Sequence, residues 1–165
     1  MKILGIDPGL ARLGWCVLEG ESGQPQKVHY GLIETEAKQS LTERLTKAFS
    51  DLKNLISHFE PDSLALETLF FVKNAKTLAQ VGHIRGIILL AAGQEKIEVS
   101  EYAPRQIKLS LTGFGGAEKK QMQLMVQRML GLPSIPKPDD VADACAVALC
   151  HLQFATHLRK AAVTV

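Results

Sequence analysis

Apolar residues along this chain change their spacing several times, and each change marks an element. Residues 2–6, KILGI, form a nearly unbroken apolar run that ends at Asp7 and turns at Pro8-Gly9, the pattern of a buried strand. GWCVLE (14–19) and KVHYGLIET (27–35) read as two more strands, joined by a short stretch of Gly, Ser and Pro that predicts an antiparallel hairpin. Ser40 with Glu43 then makes a capping box. Leu41, Leu45, Ala48, Phe49, Leu52, Leu55, Ile56 and Phe59 keep helical spacing until Pro61 stops it. DSLALETLF (62–70) predicts a fourth strand carrying Glu67 near its end. A helix over about 74–94 and a fifth strand in KIEVSEY (96–102) follow. Strand, long helix and strand imply a right-handed parallel crossover. Two further helices, over about 118–130 and 140–157, complete an α/β prediction: a five-stranded mixed sheet with helices on both faces, in three layers.

At 165 residues the chain suits one domain, placed at 1–157, with 158–165 as a short tail. Its 46% hydrophobic and 22% charged residues are ordinary for a globular protein, and a net charge of +2 permits an acidic partner without demanding one. The start of the chain lacks the features of a signal peptide, and no apolar run approaches the roughly 18 residues that span a bilayer. The expectation is therefore a cytoplasmic protein with no membrane partner. Cys16, Cys145 and Cys150 sit among apolar neighbours without C-x-x-C spacing and read as buried thiols.

Three regions place acids where apolar residues belong. Along the first strand Ile3, Gly5 and Asp7 share a face, so Asp7 projects from the side of core residues. Glu67 lies near the end of the fourth strand. In PDDVADACAVALCHL the helix after Asp143 is apolar around most of its circumference and therefore buried, and its small residues let it approach the sheet closely. Asp140 and Asp143, three apart, share one face. Asp139, directly after Pro138, suits a cap or dipole partner, whereas Asp143 lies about a turn too far in to cap. If the strand carrying Glu67 lies beside the first, Asp7, Glu67, Asp140 and Asp143 can converge at one sheet edge. Their mutual repulsion asks for protons or cations, and hard oxygen ligands suit Mg²⁺ or Mn²⁺. Two such ions about 4 Å apart form a phosphodiester-cleaving arrangement.

In GIDPGLARLGW, ETLFFVKNAKTLAQVGHIRGIILLA, EYAPRQIKLSLTGFGGAEKKQMQLMV and PDDVADACAVALCH the chain resembles the RuvC Holliday junction resolvases, over about residues 1–157. The four separated motifs occur in the family's order and at its spacings. The resemblance implies a ribonuclease H-like fold, a homodimer, and Mg²⁺-dependent nicking of four-way DNA junctions that leaves 5′-phosphate and 3′-hydroxyl ends. It implies two Mg²⁺ per active site, with Mn²⁺ able to substitute, and Asp7, Glu67, Asp140 and Asp143 as catalytic acids and metal ligands. It further implies the RuvA and RuvB branch-migration proteins as partners.

LTGFGGAEKKQ puts three glycines before a helix whose buried stripe is Met122, Met125, Val126, Met129 and Leu130, leaving Lys119 and Lys120 off that stripe. Such a helix start suits a phosphate, and a solvated basic patch is the plainer alternative. By resemblance Lys108 and Lys119 are the basic residues near the active site, and Lys119 can stabilise charge on the scissile phosphate. Phe70 and Phe71 follow Glu67 directly. One is expected in the core, and the other can stack on or wedge between bases; resemblance favours Phe70 for that contact, with Lys73 and Lys76 on phosphates nearby. The stripe Ala75, Leu78, Ala79, Gly82 and Gly86 permits close helix contact, either with the chain's own sheet or, as the resemblance implies, with a second subunit. Arg85 fits either contact, and His83 and His151 read as structural. A ribonuclease H-like enzyme acting on RNA or RNA–DNA hybrids is the alternative from the same fold. A non-catalytic junction binder gains nothing from four acids, and the second lobe of an actin-like ATPase does not fit the length.

Overall fold

The computed structural model of the chain describes residues 1–21, 24–68 and 75–163, and of 75–77 and 156–163 only the backbone. Strand β1 (Lys2–Asp7) is central in a five-stranded sheet. On one side of it lie β2 (Arg12–Glu21) and β3 (Gln24–Glu34), on the other β4 (Ser63–Glu67) and β5 (Glu98–Tyr102), in the order β3-β2-β1-β4-β5. The first three strands meander antiparallel, and β1, β4 and β5 run parallel, so the sheet is mixed as expected. Five helices accompany it among the described residues: α1 (Leu41–Phe59), α2 (Ala75–Gln94), α3 (Pro104–Thr112), α4 (Lys119–Met129) and α5 (Asp139–Val163).

Alternation along β1 divides the core in two. Leu4 and Ile6 pack with Leu52 and Ile56 of α1 and Ile84 and Ile88 of α2. Ile3 packs on the other side with Ala144, Val147 and Ala148 of α5 and with residues of α3 and α4. The result is a three-layer α/β/α arrangement with β1 and α5 at its centre.

Two glycines decide how closely α5 sits on the sheet. A Cβ on Gly5 would lie 2.5 Å from the Ala144 carbonyl oxygen, and one on Gly14 would overlap the Asp140 carbonyl. Glycine at both positions, facing the alanines and cysteines of α5, seats the first turns of that helix over the C-terminal end of β1. His151, farther along α5, is buried between Ser63 Oγ (3.0 Å from Nε2) and Tyr102 OH (2.7 Å from Nδ1), and burial holds its pKa low. It is structural, as expected; His83 is instead exposed on α2. All three cysteines are buried.

The Ser40–Glu43 box at the start of α1 is formed, with Ser40 N donating to Glu43 Oε2 (2.7 Å) and Glu43 N to Ser40 Oγ (3.3 Å). Several expectations need correction. α3 was not anticipated: it is about two and a half turns long and buries only Ile107 and Leu111, too short a run to show a period. Its punctuation is nonetheless in the sequence, with Pro104 at the first helical position and Gly113 (φ 73°) closing it. β4 ends at Glu67, with Thr68 already outside the strand, and the rest of the expected span, 69–70, lies outside the described residues. α5 begins at Asp139 and its backbone continues to Val163, past the end expected at 157, through a stretch of Leu, Arg, Lys and Ala that favours helix. On α2, of the two contacts left open for the stripe of Leu78, Ala79, Gly82 and Gly86, the one with the chain's own sheet is not made: the stripe turns away from the core, which takes Ile84, Ile88, Ala91 and Ala92. No described helix is long and apolar enough to cross a membrane.

Candidate active site

The last pair of the β1–β4 ladder is Ile6 with Leu66, so Asp7 and Glu67 stand at neighbouring strand ends. Both lie two residues beyond positions whose faces meet α5, Gly5 and Ala65, and pleating therefore turns both carboxylates toward that helix. The seat provided by Gly5 and Gly14 brings Asp140 and Asp143 in from above. Four acids from three elements thus share one end of the sheet.

Their electrostatics register this crowding. Asp7 is pushed up to about 7, first by burial and then by the charges of Asp143, Glu67 and Asp140, with Lys119 pulling the other way. Burial also raises Glu67, aided by Asp143 and opposed by Lys108, and it raises Asp143 against the pull of Lys119. Lys108 on α3 is therefore within electrostatic reach of Glu67. Lys119 loses some basicity to burial, but its hydrogen bond to Asp139 and its interactions with Asp143 more than offset this and raise its pKa overall.

Lys119, at the first position of α4, lies between two carboxylates, with Nζ 3.1 Å from Asp139 Oδ2 and 3.2 Å from Asp143 Oδ2. Asp139 also accepts from Gln123 Nε2 at 2.9 Å, so each of its oxygens has a partner in α4. Asp140 differs. Its Oδ2 is buried and accepts no hydrogen bond, although Arg12 Nε lies 3.2 Å away, out of alignment for one. Arg12 and the pairing of Asp139 with Lys119 were not anticipated. Both depend on contacts across the fold, Arg12 entering through the turn from β1 to β2. That turn is anchored by Thr35, whose amide donates to Ala11 O and whose hydroxyl donates to Leu10 O.

The donor chemistry fits a divalent cation. Every candidate ligand is a hard carboxylate oxygen, one buried oxygen of Asp140 has no donor, and Asp7 resists ionisation next to its neighbours. Among the described residues, however, no three acids are yet gathered closely enough to enclose an ion, and Lys119 holds the place beside Asp143. Lys120 is exposed next to Lys119. Phe70, Phe71 and Lys73 lie outside the described residues, as does the side chain of Lys76.

Residues 3–151 match the family model described as crossover junction endodeoxyribonuclease RuvC. The chain belongs to the RuvC family. RuvC from Desulforamulus reducens is 49% identical over 94% of this chain and 96% of its own, and RuvC from Roseiflexus sp. is 47% identical over 96% and 95%. Among solved structures, RuvC from Thermus thermophilus in complex with a Holliday junction substrate superposes with a TM-score of 0.91 at 32% identity, covering 95% of this chain and 96% of that one. The yeast mitochondrial Holliday junction resolvase Ydc2 shares the fold at a TM-score of 0.68 and 13% identity, over 96% and 80% of the two chains. RuvC family nucleases are in general metal-dependent, and the acids assembled here are of the kind such chemistry uses.

Proposed function

We infer that this RuvC protein is a crossover junction endodeoxyribonuclease that resolves Holliday junctions by paired nicks, hydrolysing one phosphodiester in each of two opposing strands. The observation that carries the reading is the set of four carboxylates that β1, β4 and α5 bring to one end of the sheet, with Asp7 raised to about 7 first by burial and then by the other three. A fold gains nothing from such crowding unless a cation or proton offsets it.

Asp7, Glu67, Asp140 and Asp143 would hold two Mg²⁺ ions, for which Mn²⁺ can substitute. When bound, these ions supply activation of water and relief of charge at the scissile phosphate. Asp7, on the central strand, would help to orient them. Asp140 contributes the oxygen that accepts no hydrogen bond, beside Arg12, whereas Asp139, satisfied by Lys119 and Gln123, is left as the partner of the lysine. Lys119 neutralises Asp143 in the free protein and exchanges that contact for the phosphate when DNA arrives, stabilising charge as the phosphorus–oxygen bond breaks. Lys108 reinforces positive potential beside Glu67. Lys120 and the segment carrying Phe70, Phe71, Lys73 and Lys76 extend the DNA contact, with one of the two aromatics, Phe70 by resemblance, at the unstacked bases of the junction centre. Hydrolysis this way leaves 5′-phosphate and 3′-hydroxyl ends.

A junction has approximate two-fold symmetry, and a C2 dimer supplies two matching sites. α2 offers the face for it: Leu78, Leu89 and Leu90 are exposed, and Gly82 and Gly86 look onto open space. RuvA and RuvB are the partners that would deliver the junction. The reading places the protein in the cytoplasm, in recombination and repair.

The test compares substrates. Incubated with Mg²⁺, the protein is expected to cut a four-way DNA junction and to leave an RNA–DNA hybrid duplex of the same sequence intact. Cleavage of the hybrid with the junction spared would make it a ribonuclease of the same fold instead.

A further inference from the structure

Arg85 is 8% exposed, the only lysine, arginine, aspartate or glutamate among the described residues buried to that degree. It follows Ile84 on α2, beside the stripe of Ile84 and Ile88 that enters the core. A guanidinium is costly to bury and persists there only when its donors are matched. Arg85 matches its donors at one place. Nη1 donates to the main-chain carbonyl of Glu67 at 2.7 Å, and Nη2 meets Glu101 Oε2 on β5 at 2.8 Å. Immediately after Glu67, Thr68 N donates to Tyr102 O at 2.9 Å, tying the chain to β5 just where β4 ends.

We propose that Arg85 is a positioning residue for Glu67. Its planar fork clamps the end of β4, with Glu101 as counter-ion, and so fixes where the Glu67 carboxylate stands relative to Asp7 and Asp143. The inference rests on the nuclease reading, because it assigns Glu67 to a divalent cation. Strand β4 has its last ladder pair with β1 one residue earlier, at Leu66, so Glu67 keeps its pairing with Tyr102 of β5 but has none with β1, and on that open side a clamp has most to contribute. Lysine would keep the charge but lose the two-pronged geometry. Outer contacts of this kind change metal affinity or activity by about ten- to a hundredfold when removed.

The test follows the rise in Tm of the full chain on titration with Mn²⁺, alongside junction nicking at saturating DNA, for Arg85→Ala, Arg85→Lys and Glu101→Gln. Ile88→Val serves as a control that perturbs the same helix without touching Glu67. Arg85→Ala is expected to raise the Mn²⁺ midpoint about tenfold or more and to slow nicking in step, while junction binding in EDTA stays within twofold of wild type. Arg85→Lys should fall between, Glu101→Gln should show the same change more weakly, and Ile88→Val should lower Tm with an unchanged Mn²⁺ midpoint. If Arg85→Ala does not fold, Arg85→Lys and Glu101→Gln decide. Wild-type midpoints and rates in the folded Arg85 variants, or a shift in Ile88→Val as large as theirs, would overturn the positioning role alone. A wild-type protein that neither responds to Mn²⁺ nor nicks junctions would instead overturn the nuclease reading and the inference with it.

Discussion

Asp7 is the residue at which stability and chemistry oppose one another. Its folded pKa, about 7, stands above the ordinary 3.8, so between those values the folded protein holds a proton that the unfolded chain has released. The stability of the ion-free protein is therefore greatest below about pH 4 as far as this group is concerned, and it falls as pH rises toward 7. Glu67 and Asp143, raised in the same direction, add to the trend. The shift of Asp7 alone corresponds to roughly 4 kcal/mol, of which an amide would recover part, since it carries its own burial cost. Asp7→Asn is thus expected to raise Tm at pH 8 without divalent ions, to abolish nicking and to retain junction binding. Thermal melts at pH 5 and 8 and a binding assay on the same preparation check all three, and a fall in Tm at pH 8 would contradict the electrostatic account. For Lys119→Ala the expected outcome is nicking at saturating junction slowed by about a hundredfold or more, with a folded protein. Single-turnover rates read this directly.

At the scale of elements the decisive contact is α5 on β1 and β2. Gly14→Ala places a methyl group where the Asp140 carbonyl now lies, and Gly5→Ala one at 2.5 Å from the Ala144 carbonyl. Either substitution must lift the helix that carries two of the four acids. A loss of about 1–3 kcal/mol is expected from each by denaturant unfolding, together with a weaker response to Mn²⁺; unchanged stability in both would show that α5 is not seated this way. Most of this architecture is legible in the chain's own patterning. The run ending at Asp7, the capped α1 and the all-round apolar α5 announce themselves because period and punctuation agree. α3 does not, since two buried positions make no period. The stripe on α2 leaves its partner open because that helix is apolar on both faces, and periodicity cannot say which one meets the sheet. At the site, the acids stand out as polar residues in apolar settings. Arg12, Asp139 as partner of Lys119, and Arg85 on the Glu67 carbonyl do not, because each acquires its role from a neighbour far along the chain.

On the proposed reading each chain supplies one active site, and a junction has two strands to cut. The exposed leucines and open glycines of α2 are where a second copy would seat. A charge there, as in Leu90→Glu, is expected to shift the protein toward monomer in sedimentation. It should also uncouple the nicks, so that singly cut junctions accumulate while the chemistry at each site persists. The central claim, that the four-acid end of the sheet performs paired junction cleavage, is tested most directly with a mobile synthetic four-way junction labelled at the 5′ end of each strand in turn, incubated with Mg²⁺ or with EDTA. Symmetric nicks in two opposing strands, present with Mg²⁺ and absent with EDTA, are the predicted result. Binding without nicks in Mg²⁺ or Mn²⁺ across varied junction sequences would contradict it and leave Asp7, Glu67, Asp140 and Asp143 without the role assigned to them.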